Sequence, residues 1–308
     1  MNNKIYIVDV FAEQQFSGNQ LAVVINDNNL TTEQMQAIAR ETNYSETTFL
    51  NTLMPCRVWE RSIQCDPKQS NGYNVRIFTP SLEIPFAGHP VLGSAYIIAQ
   101  YLHPNVELNS ILINLKSGLI PVSIHRKNHI IQRLVMNQPE PKFAQIFTPE
   151  IIAPVLNIET ELIDQRFPIM EVSNGFSVII VPINTLDALI NIKINRQKYD
   201  RLIENITPKA ILVFCKGSIS ERDDLSVRFF ADFYGIPEDP ATGSANGSLA
   251  GYIVKTNYFG SDKIDITVEQ GYNLGRPSRL YLTAKESNSK IEVMVGGRVF
   301  GIMEGRLL

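Results

Sequence analysis

The segment "IPEDPATGSANGSLAGYIV", Ile236–Val254, joins an acidic, proline-containing loop to an apolar stretch through a run of Gly, Ala, Ser and Thr. Side chains this small let the backbone come close to another chain segment or to a small anionic ligand. The apolar stretch that follows predicts a buried helix. The segment therefore predicts a helix whose N-terminus either packs tightly against a neighbour or contacts a ligand.

A similar segment lies earlier in the chain, where "EIPFAGHP" leads into the apolar stretch Val91–Leu102. The residues ahead of the two loops, "RIFTPSLEIP" at 76–85 and "RFFADFYGIP" at 228–237, share Arg, Phe, Ile and Pro at a constant offset of 152 positions. A further shift of three residues aligns Gly88 with Gly243. The order of predicted strands, turns and helices recurs as well, which predicts two related halves.

The composition indicates a globular protein without a basic surface. At 308 residues, with 44% hydrophobic and 19% charged residues, the chain is long enough for about two domains that each bury a core. A net charge of −3 provides no broad positive surface, so we do not expect nucleic acid as a partner.

Neither the first residues nor the cysteines indicate export. The first apolar run, Ile5–Val8, is interrupted by Asp9 and is too short for a signal peptide or a membrane span. The three cysteines, Cys56, Cys65 and Cys215, are an odd number in a long chain and fit a reducing compartment better than a disulfide framework. We therefore expect a cytoplasmic protein with no membrane partner.

The order of predicted elements indicates an α+β fold. Alternating segments such as "KIYIVDVFA" and "FSGNQLAVVIND" predict strands joined by glycine turns. The segment "LTTEQMQAIARET" predicts a helix, because Thr31 and Gln34 match a capping box ahead of apolar residues at helical spacing. A polar helix is predicted over Asp187–Glu204. Strands and helices do not alternate regularly, so a doubly wound parallel sheet is disfavoured.

The two small-residue loops are the candidate site. If the halves are related by pseudo-symmetry, the loops can face each other, each with the N–H donors and partial positive charge of a helix N-terminus. Two such ends suit a carboxylate or another oxyanion. We assign this role to Gly88 and Gly243 at the loop-to-helix junctions, whereas Gly93 and Gly247 inside the helices are expected to allow close packing.

A reaction needs a proton carrier in addition to an anion site. His89 lies in one loop, Asp239 in the other, and Glu46 follows the capped helix in "NYSETTFL". Such side chains in loops are usually only solvated. The residues alone therefore leave both catalysis and simple ligand binding open.

Six ordered motifs resemble the PhzF (phenazine biosynthesis-like) family: "DVFAEQQFSGNQLAVV", "NYSETTFL", "FAGHPVLGSA", "RFFADFYGIPEDPATGSA", "QGYNLGRPSRL" and "VGGRVFGIMEGRL". The resemblance covers nearly the whole chain, from about Asp9 to Arg306. It implies the diaminopimelate epimerase-like fold: two pseudo-symmetric domains, each a mixed β-barrel-like sheet wrapped around a central α-helix, with a C-terminal strand that returns to the first domain. The corresponding boundaries are 1–118 plus 291–308 for the N-terminal domain and 119–290 for the C-terminal domain.

The resemblance also implies a function. Glu46 matches the family's acid–base glutamate in its S-E-T motif, and His89 and Asp239 would line the same cleft. Substrate-binding donors would come from four further positions: Ser45, Gly88, Gly243 and Ser244. The type member isomerises trans-2,3-dihydro-3-hydroxyanthranilate without metal or organic cofactor. The resemblance therefore implies a cofactor-independent isomerase of a small carboxylated substrate, and a homodimer, because family members are commonly dimeric.

Two alternatives on the same fold remain. In the related racemases and epimerases a cysteine opens each small loop, but this chain has Ala87 and Thr242 at those places, and neither can act as a thiolate. The second alternative is a small-ligand-binding protein that has the cleft without turnover. The chain also departs from the pattern of the phenazine enzyme at Ala87, Pro90–Val91 and Asn246–Gly247, which leaves the substrate open.

Metal and nucleotide chemistry are disfavoured. The closest histidine pair, His125 and His129, flanks two cationic residues, and we expect no carboxylate to join it and no metal site to form. The runs "SGNQ" and "GGRVFG" fit neither the Rossmann nor the P-loop spacing.

Overall fold

The computed structural model describes residues 3–27, 30–55 and 72–308. The strands formed by these residues are β1 Lys4–Val10, β2 Asn19–Ile25, β3 Glu46–Pro55, β4 Gly72–Phe78, β5 Glu83–Ile84, β6 Ser110–Leu115, β7 Gly118–Lys127, β8 Ile130–Gln138, β9 Lys142–Phe147, β10 Ile169–Ser173, β11 Ser177–Pro182, β12 Ala210–Lys216, β13 Leu225–Phe230, β14 Lys263–Gln270, β15 Ser278–Ser287, β16 Lys290–Gly297 and β17 Val299–Arg306. The helices are α1 Thr32–Thr42, α2 Gly88–Ile97, α3 Pro149–Leu156, α4 Leu186–Asn191, α5 Arg196–Glu204 and α6 Gly243–Lys255. A π-helical turn, Ile98–Leu102, continues α2, and 3₁₀ turns cover Thr160–Leu162, Asp232–Tyr234 and Tyr272–Leu274.

The chain divides into two compact units. The first comprises Met1–Asn137 with Gly296–Leu308, and the second comprises Gln138–Val295. The boundaries predicted from the sequence were 118/119 and 290/291. The division falls later at both places. At the first, β7 pairs with β6 and β8 pairs with β7, so these two strands extend the sheet of the first unit.

The first unit is a mixed sheet that includes the C-terminal strand. β17 pairs antiparallel with β1, β1 antiparallel with β2, β2 parallel with β3, and β3 antiparallel with β4. β4 then pairs in parallel with β6, and β6 pairs antiparallel with β7. The predicted return of the last strand to the first domain is therefore confirmed.

The second unit repeats this pattern of pairing. β9 pairs antiparallel with β10, β10 antiparallel with β11, β11 parallel with β12, and β12 antiparallel with β13. β13 then pairs in parallel with β14, and β14 pairs antiparallel with β15. Because successive pairings have the same sense in both units, the structure confirms the predicted α+β fold with two related halves.

One apolar helix lies inside each unit. Nine of the ten residues of α2 are buried, as are twelve of the thirteen residues of α6. A helix that is apolar on all sides requires such a core position. α2 packs against β1, β2 and β3, and α6 packs against β10, β11 and β15. Gly88 and Gly243 are the first residues of these two helices, at the junctions where the sequence placed them.

Gly93 and Gly247 allow the central helices to pack closely, as predicted. A methyl group on Gly93 would lie 2.4 Å from Leu21 Cδ2, and a methyl group on Gly247 would lie 1.9 Å from Gln138 Oε1. Both distances are far below a normal van der Waals contact, which is about 3.5–4.0 Å between carbon atoms. Any side chain at either position would therefore displace its neighbour.

The smaller elements agree with the sequence to different degrees. α1 has the predicted capping box, in which Gln34 N donates to Thr31 Oγ1 at 3.3 Å and Thr31 N donates to Gln34 Oε1 at 2.9 Å. The polar helix predicted over Asp187–Glu204 is two helices, α4 and α5, because Asn195 starts a new helix by accepting from Lys198 N. β8, β9 and α3 were not predicted.

Candidate active site

Glu46 and His89 lie together in the first unit. Glu46 begins β3, which pairs in parallel with β2 and places Leu21 opposite Glu46. His89 is the second residue of α2, which packs on both strands. Glu46 Oε2 and His89 Nε2 are 3.5 Å apart, and both side chains are buried. Ser45, the residue before Glu46, is partly exposed. Two of the three predicted proton carriers are therefore in contact.

Asn19 is a third member of this cluster and was not among the predicted site residues. Its side chain is buried, and its Nδ2 lies 3.3 Å from His89 Nδ1, the ring nitrogen that does not face Glu46. A contact at one ring nitrogen helps to fix the orientation and tautomer of the other. The sequence contained a signal, the "SGNQ" turn, which lies within one of the six family motifs but from which we predicted no site residue.

Burial keeps His89 uncharged. Loss of hydration lowers the pKa of His89 from 6.5 to about 3, against a smaller, opposing effect of a hydrogen bond with the backbone of Gln20. The ring is therefore neutral at pH 7, and its contact with Glu46 is not a salt bridge at that pH. An imidazolium at this distance would stabilise the carboxylate and weaken it as a base. A neutral ring avoids this effect.

Asp239 lies in the second unit, in the loop between β13 and α6. Its backbone N–H donates to Phe229 O at 3.0 Å, which ties the loop to β13. Its carboxylate accepts a hydrogen bond from the Thr242 hydroxyl, and its side chain is buried. The carboxylate is therefore held beside the first turn of α6.

Neither central helix has a side-chain cap at its N-terminus within the described chain. Thr242 occupies the N-cap position of α6 without capping it, and Ala87, at the N-cap of α2, has no polar group. An α-helix leaves its first N–H groups without an intrahelical partner, and these groups attract anions. The geometry of each helix start thus suits the substrate-binding roles predicted for Gly88, Gly243 and Ser244.

Two buried amide side chains hold the first carbonyls of α6. Gln138 Nε2 donates to Gly243 O at 2.9 Å, and Asn174 Nδ2 donates to Ser244 O at 2.7 Å. Asn174 also donates to Gln138 Oε1, which links the two amides. These bonds fix the direction of the first turn of α6. No local sequence pattern indicates either residue, because both are far from the helix along the chain.

Possible metal ligands are not clustered in the described part of the chain. Among residues 3–27, 30–55 and 72–308, no three His, Cys, Asp or Glu side chains are arranged to hold a metal ion. His129 contacts the Glu107 carboxylate, so the expectation that no carboxylate lies beside the histidine pair is wrong. Both side chains are more than half exposed, and two ligands are fewer than a zinc site uses.

Of the three cysteines, one lies in the described chain. Cys215 is buried in β12, and burial raises the pKa of its thiol to about 12. A thiol with such a pKa is not a thiolate at neutral pH. Cys56 and Cys65 lie outside the described residues. None of the described helices combines the length and apolar character needed to cross a membrane.

Comparisons with known proteins agree on one family. The family model described as phenazine biosynthesis-like protein (PhzC-PhzF) matches residues 8–305. A trans-2,3-dihydro-3-hydroxyanthranilate isomerase of Pseudomonas fluorescens is 31% identical over 306 residues, which cover 98% of each chain. The crystal structure of a PhzF-family phenazine biosynthesis protein from Bacillus anthracis matches with a TM-score of 0.84 at 24% identity and covers 100% of both chains.

The fold extends beyond this family. A probable proline racemase from Agrobacterium radiobacter matches with a TM-score of 0.63 at 8% identity, over 99% of this chain and 93% of that one. At such low identity the likeness shows the fold alone. The predicted diaminopimelate epimerase-like fold is confirmed by these structural matches.

Proposed function

This chain belongs to the phenazine biosynthesis-like family and is an isomerase, and we propose that it moves a proton between two carbons of a small carboxylated substrate with Glu46 as acid and base. The reaction needs no cofactor in this proposal. The observation that carries it is the buried contact between the Glu46 carboxylate and the neutral ring of His89.

The proposed reaction has two proton-transfer steps. In the first, Glu46 takes a proton from a carbon of the substrate: the C–H bond breaks, an O–H bond forms on Glu46, and the electron pair shifts into the conjugated substrate. In the second, the Glu46 O–H bond breaks and the proton is delivered to another carbon. A positioned acid or base of this kind contributes roughly 10²- to 10⁴-fold in rate. Backbone donors that stabilise the developing negative charge contribute further.

The remaining predicted residues have supporting roles in this proposal. His89 keeps Glu46 in place without adding a positive charge. Asp239 orients the substrate or relays a proton. The substrate-binding donors are the helix starts and two hydroxyl groups, at Ser45, Gly88, Gly243 and Ser244.

The two-thiol racemase mechanism is not supported by the residues present. Ala87 and Thr242 are the residues immediately before α2 and α6, where the related racemases carry cysteines. A threonine hydroxyl is a far weaker acid than a cysteine thiol and does not ionise at neutral pH, and alanine has no group to ionise. The proline racemase likeness therefore supports the fold and not the two-base chemistry.

The first substrate to test is trans-2,3-dihydro-3-hydroxyanthranilate, because relatives at 28–31% identity carry this isomerase name. The screen then extends to other unsaturated hydroxy and amino carboxylic acids, since the chain departs from the phenazine pattern beside both helix starts. The homodimer implied by the resemblance stays a prediction that the mass in solution checks.

The deciding experiment is deuterium uptake by these acids from heavy water. We expect the parent protein to incorporate deuterium into at least one acid, and Glu46→Gln to lower that rate by about 10³-fold or more while it keeps the fold. Glu171→Gln is the matched control, because Glu171 is 9% exposed, like Glu46, and bonds only Ser177 among the hydrogen bonds described. Binding of an acid without deuterium uptake would indicate a ligand-binding protein, and an active Glu46→Gln variant would refute the role of Glu46.

A further inference from the structure

Gln270, the first residue of the motif "QGYNLGRPSRL", has no role in the proposed function. It is the last residue of β14 and is 1% exposed. A buried amide must find hydrogen-bond partners inside the protein, because leaving its groups unpaired is costly. Its partners lie in the loop that carries Asp239 and in the first turn of α6.

All the described hydrogen bonds of the Gln270 amide go to this one region. Nε2 donates to Asp239 O at 2.8 Å and to Thr242 Oγ1 at 3.2 Å. Oε1 accepts from Thr242 N at 3.2 Å and from Asn246 Nδ2 at 2.8 Å. The backbone partners settle which end of the amide is which, since a carbonyl can only accept and an N–H can only donate. One side chain therefore holds both ends of the segment from Asp239 to Thr242.

This orientation determines what the Thr242 hydroxyl does. Because Gln270 Nε2 donates to Oγ1, the hydroxyl's own hydrogen is available for the Asp239 carboxylate, which accepts it. Thr31 and Thr185 are also N-cap residues, and each accepts instead from an N–H of its own helix, at 3.3 and 3.2 Å. The Thr242 hydroxyl therefore bonds the Asp239 carboxylate and does not cap the N-terminus of α6.

We propose that Gln270 and Thr242 are positioning residues that hold the Asp239 carboxylate in one orientation toward the substrate. The two donors act in series, from the Gln270 amide to the Thr242 hydroxyl and from the hydroxyl to the carboxylate, and such chains strengthen each member. This inference rests on the role of Asp239 in the proposed function. A group beside the reacting atoms that is displaced by 1 Å can lose on the order of 100-fold in rate.

The test compares variants of similar shape. Thr242→Val removes the hydroxyl and keeps the branched side chain, whereas Thr242→Ser keeps the hydroxyl. Gln270→Glu keeps the acceptor oxygens and removes the N–H donors to Asp239 O and Thr242 Oγ1. The measurements are kcat and KM for the acid that exchanges fastest in the deuterium screen, together with the thermal midpoint of each variant.

We expect Thr242→Val and Gln270→Glu to lower kcat by about 100-fold, with KM changed far less, and Thr242→Ser to restore a rate near the parental value. The control is Thr185→Val, which removes an N-cap hydroxyl from the same unit whose described hydrogen bond goes to Ala188 N and not to Asp239. It should lower the thermal midpoint by a few degrees and leave kcat unchanged.

Three results would overturn the proposal: a near-parental kcat in Thr242→Val, a Thr242→Ser variant as slow as Thr242→Val, or an equal loss of kcat in Thr185→Val. If Thr242→Val does not fold, Gln270→Glu with a parental kcat has the same consequence. Absence of deuterium uptake by the parent protein refutes the proposed function and this inference together. Uptake that survives the loss of the hydroxyl refutes this inference alone.

Discussion

The central helices of the two units begin at equivalent places in the repeated strand pattern, but the side chains around the two helix starts differ. In the first unit, β3 and α2 bring the Glu46 carboxylate to a neutral imidazole. In the second unit, the loop before α6 brings the Asp239 carboxylate to a hydroxyl and a buried amide. The repeated pairing of strands sets where each helix begins. The side chains around each start differ: a carboxylate lies beside a neutral ring in one unit, and a carboxylate belongs to a hydrogen-bonded network in the other.

An arginine–glutamate pair precedes each central helix, and the two arginines differ in their exposure and in their other partners. Arg76 binds Glu83 through hydrogen bonds of 2.8 and 2.7 Å, and Arg228 binds Glu238 through two of 2.8 Å. The Arg228 side chain is 9% exposed and also donates to carbonyls at the end of α4, whereas the Arg76 side chain is 36% exposed and shares Glu83 with Lys116. Loss of Arg228 should therefore destabilise the fold more than loss of Arg76.

The largest predicted effect tests this difference in burial. Arg228→Met should lower the free energy of unfolding by about 3–5 kcal/mol, because it removes a buried guanidinium that donates to the partly buried Glu238 carboxylate and to Ile192 O at the end of α4. Arg76→Met should cost about 1 kcal/mol, since Glu83 keeps Lys116 and water reaches the site. Urea unfolding of both variants measures the two losses. Equal losses would contradict the distinction between a buried and an open pair.

The next effect concerns how tightly the central helices pack. Gly247→Ala should lower the free energy of unfolding by about 2–3 kcal/mol, because the new methyl meets Gln138 Oε1, which Asn174 holds in place. Gly93→Ala should cost about 1 kcal/mol, because the methyl meets the end of the flexible Leu21 side chain. The two variants serve as controls for each other in the same unfolding assay. A greater loss of unfolding free energy in Gly93→Ala than in Gly247→Ala would contradict this explanation.

The smallest effect concerns pH and belongs to the first unit. The pKa of His89 is 6.5 in its ordinary state and about 3 in the folded protein, so between these values the unfolded chain binds the extra proton. Stability attributable to the neutral ring is therefore present above pH 6.5 and is lost as the pH falls toward 3.

For the parent protein, this difference should lower the free energy of unfolding by about 2 kcal/mol between pH 7 and pH 5, in addition to the effects of other groups. His89→Gln should remove that component. Urea unfolding of both proteins at pH 7, 6 and 5 measures it. Parallel pH dependences in the two proteins would contradict the assignment of a neutral, buried ring.

Local patterns gave the elements whose signals lie within one turn or one strand. The capping box of α1 needs only Thr31 and Gln34, and both bonds are present in the structure. The polar segment over Asp187–Glu204 was harder, because its polar periodicity does not show where one helix ends and Asn195 begins another. β8 and β9 are exposed or partly exposed at most positions, and their residues lack the regular apolar alternation that predicts a strand.

The sequence indicated the ionisable residues of the candidate site but not the amide side chains that contact them. Glu46, His89 and Asp239 carry groups whose chemistry suggests a role from the sequence alone. Asn19 and Gln270 carry neutral amides, which occur throughout a surface, and their contacts span 70 and 31 residues along the chain. Such long-range contacts form only when the sheet brings the segments together, so no local pattern indicates them.

The sequence by itself determined the class of fold, the two related halves, the buried central helices and the residues able to carry a proton. It could do so because apolar periodicity, glycine at a helix start and a repeated motif act locally. The tertiary structure alone decided that His89 is neutral, that it meets Glu46, and that Thr242 turns toward Asp239. These properties depend on exclusion of water and on distances between remote segments, and both arise only when the strands pack around the helices.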